Sequence, residues 1–215
     1  MGVYDLEEQE QLEELKAYWK QYGNLVLIIL TLAFLAVAAY HGWNYYQKRQ
    51  AAEASTVFAG LQRAQSAKDA KQIKELSGSI LEHYPGTYYA AMAGLIAAKS
   101  SYDTGDVKSA QAQLEWVTEH AKPEEFRDIA RVRMIGLLLD QKDYDGALKQ
   151  VEAGSAGSPA FAARYADLKG DILVAQNKNA EAKTAYQAAL NAIDPKQTEY
   201  RQYVQQKLDN IGGAS

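Results

Sequence analysis

No charged residue lies between Lys20 and Lys48, and inside that gap Leu25 to Tyr40 reads LVLIILTLAFLAVAAY, interrupted only by the hydroxyl of Thr31. The run of 16 residues makes about 24 Å of helix, short of a hydrocarbon core of roughly 30 Å. Its flanks close the gap. Gly23, Asn24 and His41 to Gln47 carry no formal charge, while Tyr18, Trp19 and Tyr22 on one side and Tyr40, Trp43, Tyr45 and Tyr46 on the other supply the aromatic belts expected at headgroup level. The pattern predicts a stub over 1–23, a transmembrane helix over 24–46 and a separate domain over 47–215. A cleavable signal sequence would open with a short basic stretch. Residues 1–20 instead hold two lysines against six acids, and the small-x-small site Ala36-Val37-Ala38 lies inside the apolar run.

Beyond the span the apolar positions recur with a helical period, and the prolines show a larger one. Pro85, Pro123, Pro159 and Pro195 are the only prolines, spaced 38, 36 and 36 residues apart. Proline is tolerated beyond a helix end or in a first turn, not inside a helix, so each marks a junction. Small or apolar residues inside a second helix, Ile73, Ala110, Ala147 and Ala182, follow at intervals of 37, 37 and 35. Polar turns precede them: Lys68-Asp69, Gly105-Asp106, Lys142-Asp143 and Asn177-Lys178-Asn179. Every unit therefore reads helix, tight turn, helix, proline.

The predicted pairs are Ala51 to Ala67 with Lys71 to His83, Tyr88 to Tyr102 with Val107 to His120, Glu124 to Gln141 with Tyr144 to Glu152, and Pro159 to Gln176 with Ala180 to Ile193. A last helix, Gln197 to Ile211, carries Tyr200, Val204, Leu208 and Ile211 on one stripe and charge elsewhere, as a cap with one wet face should. The fold class is all-α. A period of this length points to tetratricopeptide-type hairpins, an α-solenoid behind one N-terminal transmembrane helix. The last unit matches best, with Gly170, Ala182, Tyr186 and Ala189 in the motif's small and aromatic positions. Elsewhere its early tryptophan is replaced by Val57, Gly94, Arg131 and Ala166, and its glycine by Leu61, Ala98 and Ile135.

Charge narrows the partners. From Ala51 onward there are 19 Lys plus Arg against 21 Asp plus Glu, evenly scattered, with no basic stripe for nucleic acid. The chain has no cysteine, which removes disulfides, thiol nucleophiles and thiolate metal sites. His41, His83 and His120 are solitary, the latter two at predicted helix C-termini where imidazole complements the dipole. Gly154-Ser155-Ala156-Gly157-Ser158 lacks the lysine and preceding strand of a phosphate loop and reads as a linker. No catalytic, cofactor-binding or metal site is expected, and no enzyme.

Several stretches carry a resemblance: Glu14-Leu15-Lys16 through Trp19 to Gly23 before the span, Gly42-Trp43-Asn44-Tyr45-Tyr46 after it, and Ala166-Asp167-Leu168-Lys169-Gly170-Asp171 with Ala182-Lys183-Thr184-Ala185-Tyr186 in the last unit. In order and spacing the chain resembles the family of YfgM-type ancillary subunits of the bacterial SecYEG translocon. The resemblance implies a single-pass inner-membrane protein with residues 1–23 cytoplasmic and a periplasmic repeat domain over 47–215. It also implies association with SecYEG and with a PpiD-type periplasmic chaperone, and a role with secreted client proteins. The residues alone leave open a cytosol-facing scaffold or assembly factor of an inner- or outer-membrane biogenesis complex.

In hairpins of this type, positions two, five, nine and twelve of the first helix line the concave face. That assigns Met92, Leu95, Lys99 and Tyr102, then Arg164, Asp167, Asp171 and Val174, to a protein-binding surface. In the stub, Leu12, Leu15, Trp19 and Tyr22 fall at helical spacing beside an acidic face, an interfacial lead-in or a partner contact.

Overall fold

The computed structural model describes residues 4–212, so the outermost residues of the predicted stub and of the predicted repeat domain lie outside the described residues. Among the described residues every regular element is helical. The chain divides between Arg49 and Gln50 into two compact units, although α1 is assigned continuously over Tyr4–Ser66. The sequence places a boundary near residue 47, yet no proline or capping residue interrupts the helix there.

In the first unit the described apolar run stands exposed. Leu25, Ile28, Leu32, Phe34 and Leu35 all lie exposed, and none of the most apolar window is buried. This helix alone among the described residues is long and apolar enough to cross a membrane. The hydroxyl of Thr31 donates to the Leu27 carbonyl at 2.7 Å, which satisfies the one polar side chain of the run within its own helix.

The second unit is a row of hairpins: the end of α1 with α2 (Ala70–His83), α3 (Tyr88–Asp103) with α4 (Val107–His120), α5 (Glu125–Asp140) with α6 (Tyr144–Ser155), α7 (Ala162–Ala175) with α8 (Asn179–Ala192), and then α9 (Thr198–Gly212). All four prolines fall between helices, Pro159 opening a 3₁₀ turn over Pro159–Phe161. Each hairpin turns through one residue in the left-handed region, Lys68, Gly105, Lys142 or Asn177. The next amide bonds back five residues, as Asp106 does to Ser101 at 2.8 Å and Lys178 to Leu173 at 2.8 Å. That closure satisfies orphan carbonyls of the first helix. Asp69, Asp106 and Asp143 then cap the second helix by accepting from the amides of Gln72, Ser109 and Gly146. Lys178 in the fourth turn makes no such side-chain cap.

Packing follows the repeat: from α2 onward each helix touches the next, α5 touches both α3 and α7, and Leu61 of α1 shares an apolar cluster with Ile80 of α2. Three apolar clusters result, around Leu61 and Ile80, around Leu114 and Ile135, and around Tyr186 and Val204. Three glycines allow close approaches between helices. A Cβ on Gly94 would lie 2.5 Å from Val117 Cγ2, one on Gly154 2.1 Å from Tyr165 Cζ, and one on Gly170 2.4 Å from Tyr186 Cε1. Gly154 thus corrects the linker reading: α6 runs on through Ser155, and the glycine makes room for a ring instead of a turn.

Candidate protein-binding site

Two grooves between successive first helices contain the residues the sequence singled out, and they differ in what fills them. The first lies between α3 and α5 with α4 as its floor, a cleft of about 380 Å³. Lys99 and Tyr102 stand on its α3 wall, Ala98, Ala110, Leu114 and Leu137 make its apolar base, and Gly136 faces it from α5. A Cβ on Gly136 would have nothing within 4 Å, so the missing side chain is part of why the cleft is open. Two hydrogen bonds cross it. Tyr102 Oη donates to Asp140 Oδ2 at 2.6 Å, and Arg133 Nη1 donates to the Leu95 carbonyl at 3.3 Å. The bond to Asp140, then its charge, raises the Tyr102 pKa. Lys99 pairs with Asp103 one turn on, whereas Arg133 has no carboxylate within salt-bridge distance among the described residues.

Leu95 itself is buried in the central apolar cluster, and Met92 packs half-buried against the cluster around Leu61 and Ile80. As the molecule stands these two belong to the interior more than to a surface.

The second groove, between α7 and α9, is occupied by the chain itself. Asp167 has no exposed surface, and its carboxylate accepts from Lys207 Nζ at 2.7 Å, Arg164 Nη1 at 3.0 Å and Tyr200 Oη at 3.1 Å. Asp171 accepts from the same ammonium at 2.8 Å and from Tyr186 Oη at 2.7 Å. Lys207 also lies 4.5 Å from the centre of the Tyr203 ring. Burial lowers the Lys207 pKa, but the hydrogen bonds and charges of Asp167 and Asp171 outweigh it, and the net shift is upward. Burial first, then Asp167, pushes Tyr200 up to about 12. So Arg164, Asp167 and Asp171 are brought together as expected of one helix face, but that face is covered by Tyr200 and Lys207 of α9, with Tyr186 of α8 bonded to Asp171. Beside them Arg164 also borders an open surface hollow with Phe161, Lys196 and Tyr200.

Sequence reasoning missed Arg133, Gly136, Asp140 and Lys207. Gly136 stands 37 residues after Lys99, so the repeat offset carried into the third unit finds it. Nothing in the spacing of Lys207 distinguishes it from the other charges of α9. Between the two grooves, Tyr165 Oη of α7 donates to Asp128 Oδ1 of α5 at 2.6 Å, and Arg131 Nη1 lies 3.5 Å from the same oxygen. Tyr165 is fully buried, and burial, then the carboxylate, raises its pKa. His120 Nδ1 sits 3.0 Å from the Trp116 carbonyl at the end of α4, a helix-terminal contact. Among the described residues no group of three acids or histidines could hold a metal ion.

Stacked hairpins with left-handed turns, glycine-to-aromatic contacts and a groove between first helices define a tetratricopeptide-repeat-like protein. A family model described as a tetratricopeptide repeat-like domain matches residues 16–213. A solved structure titled MamA 41-end, from Desulfovibrio magneticus RS-1, superposes with a TM-score of 0.52 at 20% identity, covering 74% of this chain and 89% of that one. That likeness is one of fold. Curated relatives named ancillary SecYEG translocon subunit match nearly end to end. The one from Neisseria gonorrhoeae is 33% identical over 96% of this chain and 98% of its own length. Those from Haemophilus influenzae and Escherichia coli are 28% and 24% identical, over 97% and 98% of this chain and 100% and 99% of theirs. The chain belongs to the family of ancillary SecYEG translocon subunits.

Proposed function

We propose that this protein is a single-pass, membrane-anchored, non-catalytic accessory of the Sec translocon, whose helical array holds partner proteins beside it. The observation that carries the reading is the end-to-end match to relatives of that name, which takes in both the apolar helix and the hairpin array. The physical design supports it. A hairpin array offers an extended surface, and an anchor raises its local concentration near one membrane machine, so weak contacts suffice. Residues 1–23 would be cytoplasmic, 24–46 would span the inner membrane, and 47–215 would stand in the periplasm. There they would meet a PpiD-type chaperone and emerging clients through the concave residues Lys99 and Tyr102.

Copurification from detergent-solubilised membranes tests this. SecYEG and a periplasmic chaperone should come with the full chain. Their absence under mild detergent, with the protein intact, contradicts the reading.

One observation favours the opposite topology. Lys48, Arg49 and Arg63 follow the span while Lys16 and Lys20 precede it, a slight excess of basic residues on the domain side. The positive-inside bias would then hold the array in the cytosol as a scaffold or assembly factor. Large domains translocate against weak biases, and the acids count for little. Alkaline-phosphatase and fluorescent-protein fusions at Ser215 separate the two: phosphatase activity is expected, and a bright cytosolic reporter would install the scaffold reading instead.

A further inference from the structure

Helix α1 runs without a break from the stub into the apolar run, so within the first unit the stub continues along the axis of the span instead of bending into the interface. Counted back from Asn24 at about 1.5 Å per residue, Tyr22, Trp19 and Tyr18 stand roughly 3 to 9 Å outside the hydrocarbon, Leu15 about 14 Å and Leu12 about 18 Å. The polar layer on each side of a bilayer is roughly 5 to 8 Å deep, half the difference between the whole thickness and the core. A tilt of about 40° still leaves Leu15 and Leu12 roughly 10 and 14 Å out. The aromatic residues therefore sit at headgroup level. There the Trp19 indole lies over the bare backbone of Gly23, where a Cβ would meet its Cε2 at 3.1 Å, and the Tyr18 and Tyr22 ring centres are 5.2 Å apart. Leu15 is 67% exposed and Leu12 53%, and both stand beyond the reach of lipid.

Leu12, Leu15, Trp19 and Tyr22 follow at intervals of three, four and three, the spacing of a single helix seam. Carried outward, the same register reaches Glu8 and then Asp5, so the seam changes from apolar to acidic as it leaves the membrane. We infer that this seam docks a different protein at the membrane surface, one that presents an apolar strip about 14 to 18 Å above the hydrocarbon with lysine or arginine beyond it. Charge decides the occupant. A second copy anchored in the same membrane would stand parallel and place its own Asp5 and Glu8 at the same seam positions, and like charges facing each other oppose association. An anionic leaflet repels the six acids of residues 1–20. A basic protein surface converts the same acids into charge pairs, while the two leucines give it an apolar anchor. The inference rests on the reading of 24–46 as a span and adds a partner on the face of the membrane opposite the hairpin array, whichever way the chain is oriented.

The test uses the full chain in intact cells, with benzoylphenylalanine replacing Leu15 or, two residues back and so on the opposite helix face, Glu13. Irradiation should give one discrete protein adduct from the Leu15 position and only background from Glu13. Mass spectrometry should place that crosslink on another protein, in an apolar segment flanked by lysine or arginine. Asp5→Lys with Glu8→Lys should lower the Leu15 adduct about tenfold, near what two exposed charge pairs turned repulsive amount to. Asp5→Glu with Glu8→Asp should keep it. Adducts with phospholipid alone, adducts with a second copy of this chain, or no adduct overturn the inference. Equal adducts from both positions do so too, as does a yield that the charge reversal leaves unchanged. Alkaline carbonate extraction of the same membranes is run in parallel. Release of the chain would remove the span and this inference with it, whereas a chain that stays in the membrane and gives no Leu15 adduct overturns this inference alone.

Discussion

The groove between α3 and α5 and the groove between α7 and α9 are built on the same repeat, yet one is open and the other shut. Lys99 and Asp171 occupy equivalent register positions two units apart. Lys99 finds its counter-ion one turn along its own helix and leaves the cleft free. Asp171, with Asp167, draws Lys207 down from α9. The difference shows how a solenoid decides where it ends: buried carboxylates recruit a terminal helix as their counter-ion, whereas a glycine opposite a self-satisfied ion pair leaves room for something else.

Breaking the closed side should produce the largest effect. Asp167→Ala leaves Lys207 and Arg164 half-buried without their shared carboxylate, and loss of one partner from such a buried network costs about 3 to 5 kcal/mol. Thermal melting followed by circular dichroism should show it, and the corresponding loss on the open side, Asp140→Ala, should be much smaller because Tyr102 can turn to water. Gly170→Leu comes next. Its Cβ alone meets the Tyr186 ring at 2.4 Å, and overpacking of this kind costs about 1 to 3 kcal/mol. A parental melting temperature for Gly170→Leu would mean that the packing around Tyr186 is misassigned.

Alkali should also loosen the closed side. Tyr200 is raised to about 12 from an ordinary 10.0, so the unfolded chain loses its proton first and stability falls as pH rises through that window. Lys207 is raised above an ordinary 10.5, and its contribution, complete below that value, is likewise lost above it. Tyr186, raised by burial and Asp171, acts in the same direction. The melting temperature should therefore fall as pH rises above about 10, and fall less steeply for Tyr200→Phe, which lacks one of the titrating groups. Identical pH slopes for the parent and Tyr200→Phe would contradict the assignment.

The smallest change sharpens the repeat itself. Lys178→Asp restores the cap that the other three turns possess and should add about 1 kcal/mol, while Lys178→Ala should stay within about 0.5 kcal/mol of the parent. Equal melting of the two variants would show that the fourth turn cannot adopt the capped geometry.

Most of the fold was legible because its punctuation is local. Prolines, left-handed turn residues and Asp caps act within a few positions, and the reading placed α4 over Val107 to His120, as observed. The misses share one cause. Gly154 reads as a linker residue until the Tyr165 ring, from another helix, is seen against it. Helical register likewise put Arg164, Asp167 and Asp171 on one face. It could not reveal that this face is covered, because the cover comes from Lys207, 36 residues beyond Asp171. Register also placed Leu95 on the concave face, where depth of packing buries it instead.

The central claim is that the array meets proteins at the translocon through its open cleft and not through its closed one. Photo-crosslinking in intact cells tests this most directly, with benzoylphenylalanine replacing Lys99 on the open rim or Tyr203 beside the closed groove. Adducts with SecYEG subunits, periplasmic chaperones or secreted polypeptides are expected from the Lys99 position and only background from Tyr203. The same adducts from both positions, or cytosolic proteins alone from Lys99, would contradict it.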